Sequence, residues 1–251
     1  LLAVVAGLLL GFAICTRQPF LAVVPALFLL WKDDKKPVHF AVLLTAALFS
    51  LILPAYIFSV WGGWVSPFFQ DRIAARFWAP EFGVLAFGYA TIFMVILSPP
   101  WFRTFLVLPD KKLNVGFTTL LLIANYYFKW LEFLPNKALS WQFSAGFQML
   151  ISNIFGSVVI YLSALFIKNL YVNYEGNGQQ KGVALLYLCA FLLIFSCVKN
   201  TLIFGSRYVL PAIPFLILIA APSFTEKNRF LMKRVTAAVI GFASLWFTLG
   251  V

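Results

Sequence analysis

Long apolar stretches alternate with short polar clusters along the chain, and this alternation predicts helices that cross a membrane. The period-2 pattern of a membrane β-barrel is absent. The predicted spans are Leu1–Cys15, Arg17–Trp31, Phe40–Val60, Gly83–Leu97, Val115–Phe128, Phe143–Ile167, Gly182–Val198, Tyr208–Ala221 and Val235–Val251. The pattern therefore predicts an all-α fold, a polytopic transmembrane helical bundle of about 8–9 spans, some short and broken, forming a single transmembrane domain over residues 1–251.

The apolar stretch Leu1–Trp31 is interrupted by Thr16-Arg17-Gln18, which Pro19 follows directly. As one helix it would be about 46 Å long, whereas the hydrocarbon core of a bilayer is about 30 Å thick. Because Pro19 has no amide hydrogen and disfavours helical geometry at the preceding residue, we expect the helix to break at Thr16–Phe20. A broken backbone that carries an arginine is tolerated in a membrane only inside protein or beside a wet cavity, so Arg17 is a candidate functional residue. Alternatively, Arg17 extends to the membrane interface.

The composition changes this picture little. Hydrophobic residues make up 63% of the chain and charged residues 11%, with a mean hydropathy of +0.94. Soluble domains are about 45–50% apolar and about 25% charged, so the composition indicates an integral membrane protein. The net charge of +11 is expected to lie near anionic lipid on the cytoplasmic face, and no nucleic-acid partner is predicted.

Histidine and cysteine add no further candidate site. The three cysteines, Cys15, Cys189 and Cys197, lie inside apolar stretches and lack metal-ligand spacing. His39, the only histidine, is expected at an interface. No metal and no cofactor is therefore predicted.

Polar segments between the spans give the expected orientation. They are the turn Lys32–Pro37, the outer loop Trp61–Phe82, the interfacial segment Trp101–Asn114 and the polar loop Lys168–Lys181. With the turn at Lys32–Lys36 in the cytoplasm, strict alternation puts 12 of the 19 basic residues on the cytoplasmic side. Arg17, Lys199 and Arg207 then lie at extracytoplasmic span ends. Arginine matches the oxygens of phosphate with two parallel donors, so anionic headgroups are the expected partners there.

A second polar cluster, Lys199–Tyr208, precedes a proline-containing apolar stretch. Gly205 and Ser206 are suited to cap the helix that follows. The positive end of that helix dipole would favour an anion near Arg207. An interfacial anchor of lysine, arginine and tyrosine is the alternative interpretation.

The outer loop is the third candidate region. Asp71 and Arg72 are candidates for contact with a sugar or a phosphate, and Trp61 and Trp64 for stacking on a sugar ring. The density of tryptophan and phenylalanine in the loop favours an aromatic belt at the membrane interface over a binding site.

Two stretches resemble a known superfamily. The stretches GLLLGFAICTRQPFLAVVPALFLLW and GSRYVLPAIPFLILIAA are similar to two membrane spans of the polytopic GT-C glycosyltransferases. The resemblance implies that Arg17 and Arg207 bind the donor phosphate and that Tyr208 supports them. Gln18 and Lys199 complete the predicted donor-phosphate set.

The resemblance further implies inverting transfer of a hexose or pentose from a polyprenyl phosphate to a lipid-linked glycan or protein acceptor. The active face is expected to be extracytoplasmic, in the endoplasmic reticulum or the bacterial inner membrane. Within the superfamily, Arg17-Gln18, Trp61-Gly62-Gly63 and Asp71-Arg72 are similar to enzymes that add the terminal α-1,2-linked glucose to lipid-linked oligosaccharide.

The chain departs from the superfamily in one respect. The acidic motif that these enzymes carry in their first luminal loop has no counterpart here, and no catalytic carboxylate is assigned. We therefore expect a C-terminal part that lacks the native N-terminal spans and first luminal loop. A transporter or flippase for an anionic lipid or sugar phosphate is the leading alternative, followed by a non-catalytic subunit of a membrane complex.

Overall fold

The computed structural model describes residues 1–16, 18–28, 36–63, 78–131, 144–177, 181–199 and 209–220. All regular elements in these ranges are helical. The α-helices are α1 Leu2–Thr16, α2 Val23–Leu27, α3 Pro37–Trp61, α4 Pro80–Leu97, α5 Lys111–Phe128, α6 Ala145–Asn177, α7 Lys181–Phe195 and α8 Ile213–Ala220. Short 3-10 turns cover Gln18–Ala22, Pro99–Trp101, Ser196–Lys199 and Leu210–Ala212.

Four helices in the described ranges are long and apolar enough to cross a membrane. They are Pro37–Trp61, Pro80–Leu97, Ala145–Gly176 and Gly182–Lys199. Leu2–Thr16, Gln18–Leu27 and Leu210–Ala220 are apolar but shorter. The predicted helical class is confirmed and the four helices are compatible with an integral membrane protein, whereas the expected 8–9 spans are not confirmed. The predicted span Val235–Val251 lies outside the described residues.

The chain forms two compact units. The first unit contains Leu1–Ala86 and Tyr174–Phe215, and the second contains Phe87–Asn173 and Leu216–Val251.

In the first unit, α1 and α3 pack closely and run in the same direction. A Cβ atom added at Gly11 would lie 3.0 Å from the Ser50 carbonyl oxygen, and one added at Gly7 would overlap the Ala46 carbonyl. From Gly7 to Gly11 along α1, the contacted residue on α3 moves from Ala46 to Ser50, so the two helices are parallel. Small residues permit this close backbone approach, as in membrane helix pairs generally. As a result, Thr16 lies toward the same end of the pair as Trp61.

The segment after α1 returns along α3. Val24 shares a buried cluster with Ile14 and Ala47. The ring centroids of Phe28 and Phe40 are 6.0 Å apart, near the beginning of α3. The segment Gln18–Phe28 therefore runs antiparallel to α3.

The predicted break at Thr16–Phe20 is confirmed. α1 ends at Thr16, whose hydroxyl donates to the Ala13 carbonyl at 2.8 Å, and a 3-10 turn begins at Gln18. Pro19 explains the change, because it cannot donate the hydrogen bond that a continuing α-helix needs. In the described residues, the predicted span Arg17–Trp31 is this turn followed by the five-residue α2.

The sequence prediction was wrong for part of the polar loop Lys168–Lys181, because α6 continues as helix to Asn177. Asn169 and Asn173 are buried on α6, with 0% and 5% of their surfaces exposed. Their side chains hydrogen-bond to the backbone of residues 101–104, so these polar residues are accommodated inside a helix. Polarity at these positions reflects internal packing instead of solvent exposure.

The predicted interfacial segment Trp101–Asn114 is helical only at its two ends. Its first residue, Trp101, is the last residue of the 3-10 turn Pro99–Trp101, and α5 begins near its other end, at Lys111. Asn114 accepts hydrogen bonds from the backbone N–H groups of Val107 and Leu108, at 2.9 and 3.0 Å. Irregular backbone in a membrane protein needs such partners, and side chains of α5 and α6 supply them.

Candidate functional site

Nine residues were predicted to bind the donor, the acceptor or the sugar, and the structure describes three of them: Gln18, Trp61 and Lys199. The other six, Arg17, Trp64, Asp71, Arg72, Arg207 and Tyr208, lie outside the described residues.

Gln18 is the first residue of the 3-10 turn Gln18–Ala22, and it is exposed. The turn is followed by α2, and both contact α7 within the first unit. Because α1 and α3 are parallel, Gln18 follows α1 at the end of the pair where α3 also ends. The donor-phosphate candidate Gln18 and the sugar-contact candidate Trp61 thus belong to the same end of this helix pair.

Trp61 is the last residue of α3, and its end is capped by glycine. Gly62 has a left-handed backbone with φ of 67°, a conformation that glycine adopts without steric cost. The N–H of Gly63 donates to the Phe58 carbonyl at 3.1 Å, which closes the last helical turn. The Trp61 ring lies 6.0 Å from that of Phe58, so the indole packs on its own helix.

Lys199 ends the 3-10 turn Ser196–Lys199 that follows α7, and its side chain is exposed. The neighbouring carbonyl of Val198 accepts a hydrogen bond from the Ala79 N–H at 2.8 Å. The Val198 side chain also fills the space beside Gly83, where a Cβ atom would collide with it. The end of α7 is therefore joined to the beginning of α4, where the predicted outer loop ends.

Helix α7 and the turn Ser196–Lys199 that follows it are in contact with segments from all three predicted regions. Helix α7 contacts the 3-10 turn Gln18–Ala22, which follows Arg17 in sequence, and the 3-10 turn Leu210–Ala212, which follows Arg207. The turn at its end pairs with Ala79 of the outer loop. All these elements belong to the first unit. The described residues thus bring segments that are distant in sequence to one helix.

Sequence reasoning missed a group of buried asparagines in the second unit. Asn114, Asn125, Asn153, Asn169 and Asn173 are each at most 5% exposed. The spacing of Asn169 and Asn173, four residues apart in a stretch that the composition marked as polar, was a signal of one helical face.

The Asn125 side chain illustrates what these residues do. Its Nδ2 donates to the carbonyls of Leu131 and Asn153, both at 3.0 Å, and its Oδ1 accepts from the Leu131 N–H at 2.9 Å. One fully buried side chain therefore joins α5, the residues after α5, and α6. The arrangement is structural and holds no charged group.

Comparison of the chain with models of protein families, with curated proteins and with solved structures finds no match.

Proposed function

We propose that the chain belongs to a polytopic membrane glycosyltransferase that uses a polyprenyl-phosphate-linked sugar as donor. The observation that carries the proposal concerns the two stretches that resemble the GT-C superfamily. Each contains a 3-10 turn soon after its arginine, Gln18–Ala22 and Leu210–Ala212, and both turns contact α7. This shared neighbour supports a common site for Arg17 and Arg207.

In the proposed mechanism, an acceptor hydroxyl oxygen attacks the anomeric carbon of the donor sugar. The bond from that carbon to the phosphate oxygen breaks, and the phosphate leaves with the electron pair. Guanidinium groups of Arg17 and Arg207 neutralise the negative charge that develops on the leaving phosphate, which lowers the barrier. Tyr208, Gln18 and Lys199 add donors around the same phosphate.

The proton of the acceptor hydroxyl requires a general base, for which a carboxylate is the usual choice in sugar transfer. The resemblance implies such a carboxylate in the first luminal loop of the superfamily. None of the carboxylates of this chain is assigned to that role. Trp61, Trp64, Asp71 and Arg72 are proposed to contact the acceptor or the transferred sugar on the extracytoplasmic face.

Transfer from a polyprenyl-phosphate sugar, measured with the full-length protein in lipid, tests the proposal. Replacing Arg17 or Arg207 with alanine is expected to lower the rate of transfer about 100-fold, the usual effect of losing one group that stabilises developing charge. The conservative variants Arg17→Lys and Arg207→Lys should fall between the alanine variants and wild type, because lysine keeps the charge without the two-pronged geometry.

Arg103→Ala is the matched control, since Arg103 is an exposed arginine of the second unit outside the predicted site. Its rate of transfer should equal that of wild type. Wild-type rates in both Arg17→Ala and Arg207→Ala would exclude the proposed roles.

A transporter or flippase for an anionic lipid is the second candidate, and the end of α1 at Thr16 followed by a 3-10 turn from Gln18 favours it. Broken helices that present polar groups at substrate sites are common in transporters. Movement of a labelled polyprenyl phosphate between leaflets, without sugar transfer by the full-length protein, would identify this function.

A further inference from the structure

The beginning of α5 and the segment before it are flanked by lysines that the proposed function does not use. Lys111 and Lys112 are the first two residues of α5, and both are exposed. Lys168 of α6 reaches the same segment, where its Nζ donates to the Leu106 carbonyl at 3.1 Å. All three lysines belong to the second unit. They are called the lysine surface below.

Hydrogen bonds to one short stretch of backbone bring these lysines to the same part of the unit. Asn114, in the first turn of α5, accepts from the Leu108 N–H at 3.0 Å. Lys168 binds the carbonyl of Leu106, which is only two residues earlier in the chain. The first turn of α5 and Lys168 of α6 therefore meet at residues 106–108.

The lysine surface has an excess of positive charge. Asp110 is the only acidic residue in the sequence from 104 to 114, and its carboxylate accepts from the Lys112 N–H at 2.8 Å as the N-terminal cap of α5. Three lysines thus stand against one carboxylate that is already hydrogen-bonded to the backbone. Such a surface attracts an anionic partner.

The length of α5 matches these lysines to the headgroup level of a bilayer. Its 18 residues are about 27 Å long, close to the thickness of a hydrocarbon core, about 30 Å. At its other end the exposed rings of Phe128 and Trp130 stack at 5.4 Å, as is typical of aromatic residues at a membrane interface. Leu120 and Ile123, between the two ends, are apolar and exposed. The lysines therefore match the opposite interface.

We propose that the lysine surface binds the headgroup phosphate of an anionic phospholipid. Lysines at helix ends are typical of the cytoplasmic side of a membrane, where the leaflet carries anionic lipid. Leu113 and Val115, which are 57% and 67% exposed, lie next to Lys112 and suit the upper part of the acyl chains. A soluble anion would satisfy the lysines but not these apolar side chains, so a lipid fits the surface better.

Photolabelling of the full-length protein in nanodiscs tests the proposal. Two probes share an acyl chain with a diazirine close to its ester and differ only in the headgroup, which is anionic in phosphatidylglycerol and without net charge in phosphatidylcholine. Mass spectrometry compares their labelling of residues 113–115 at equal mole fraction. Phosphatidylglycerol should label this stretch at least about tenfold more strongly, because each lysine near an anionic headgroup contributes about fivefold.

Charge-removing variants examine the lysine surface from the protein side. The double variant Lys111→Gln and Lys112→Gln should lower the preference for phosphatidylglycerol at least about fivefold. Lys168→Gln should lower it about fivefold, and glutamine keeps an N–H donor for the Leu106 carbonyl. The double variant Lys111→Arg and Lys112→Arg should keep the preference, because it keeps both charges. Lys129→Gln is the matched control, since it removes one exposed lysine just beyond the other end of α5.

Equal labelling by the two probes would overturn the proposal, and this comparison needs only the wild-type protein. An unchanged preference in the double glutamine variant, or an equal loss in Lys129→Gln, would overturn it as well. Loss of the preference in millimolar inorganic phosphate at constant ionic strength would assign the surface to a soluble anion instead. No sugar donor enters this assay, so its outcome is separate from that of the proposed transfer activity.

Discussion

Asn169 on α6 holds the backbone of Thr104 by two hydrogen bonds. Its Oδ1 accepts from the Thr104 N–H at 3.2 Å, and its Nδ2 donates to the Thr104 carbonyl at 2.9 Å. Asn173, one turn further along, donates to the Trp101 carbonyl at 2.9 Å. These side chains supply hydrogen-bond partners for the Trp101 carbonyl and for both backbone groups of Thr104. They also explain why the polar part of α6 is buried.

Replacing Asn169 with leucine is expected to destabilise the folded protein. The variant keeps the branched shape of the side chain but leaves two backbone groups of Thr104 without their partners, which should cost about 1–3 kcal/mol of unfolding free energy. Reversible denaturation in mixed micelles measures the effect. Ile167→Ala serves as control on the same helix, since that side chain is 42% exposed. Equal stability of Asn169→Leu and wild type would contradict the bonding described.

Gly156 on α6 is expected to tolerate no side chain. A Cβ atom there would overlap the Leu131 carbonyl oxygen and lie 3.0 Å from Asn125 Nδ2. Gly156→Ala should therefore lower the midpoint of thermal unfolding, with a loss of about 1–3 kcal/mol as for other overpacked interiors. Gly146→Ala, on the same helix, is the matched control, because its added Cβ would have no atom within 4 Å apart from its own chain neighbours and the adjacent helix backbone. Equal unfolding midpoints for Gly156→Ala and Gly146→Ala would contradict the close approach of α6 to Leu131.

The sequence predicted the helical class and the break after Thr16, because apolar length and the position of proline are local signals. It failed at α6, where a polar loop was predicted over Lys168–Lys181, a range that includes the buried Asn169 and Asn173. Whether a polar residue faces water or a backbone partner depends here on contacts with Thr104 and Trp101, which are 65 and 72 positions away in sequence. Sequence order alone does not contain those contacts.

The candidate site was predictable only as separate stretches. Arg17 and Pro19 indicated a helix break near Gln18, and Lys199 indicated the end of the apolar stretch that precedes it. That both adjoin α7, directly or through the turn that follows it, depends on tertiary packing and not on any local pattern.

Parallel packing of α1 and α3 predicts the sidedness of three described positions. In a background without Cys15, Cys189 and Cys197, Gln18→Cys and Gly62→Cys should react with a membrane-impermeant maleimide from the same side. Lys36→Cys should react only from the opposite side, because α3 between Lys36 and Gly62 is about 37 Å long, which is enough to cross the bilayer. Labelling of Gln18→Cys and Lys36→Cys from one common side would contradict the parallel arrangement.

The central claim is that Arg17 and Arg207 hold one lipid phosphate, and a double-mutant cycle on polyprenyl-phosphate binding tests it most directly. The full-length protein, Arg17→Ala, Arg207→Ala and the double variant are titrated with polyprenyl phosphate in nanodiscs. Each single variant should bind about tenfold more weakly, as expected for loss of one charged hydrogen-bonded contact. The loss in the double variant should differ from the product of the single losses by about threefold or more, because the two groups share one partner. Wild-type affinity in either single variant, or losses that multiply independently, would contradict the claim.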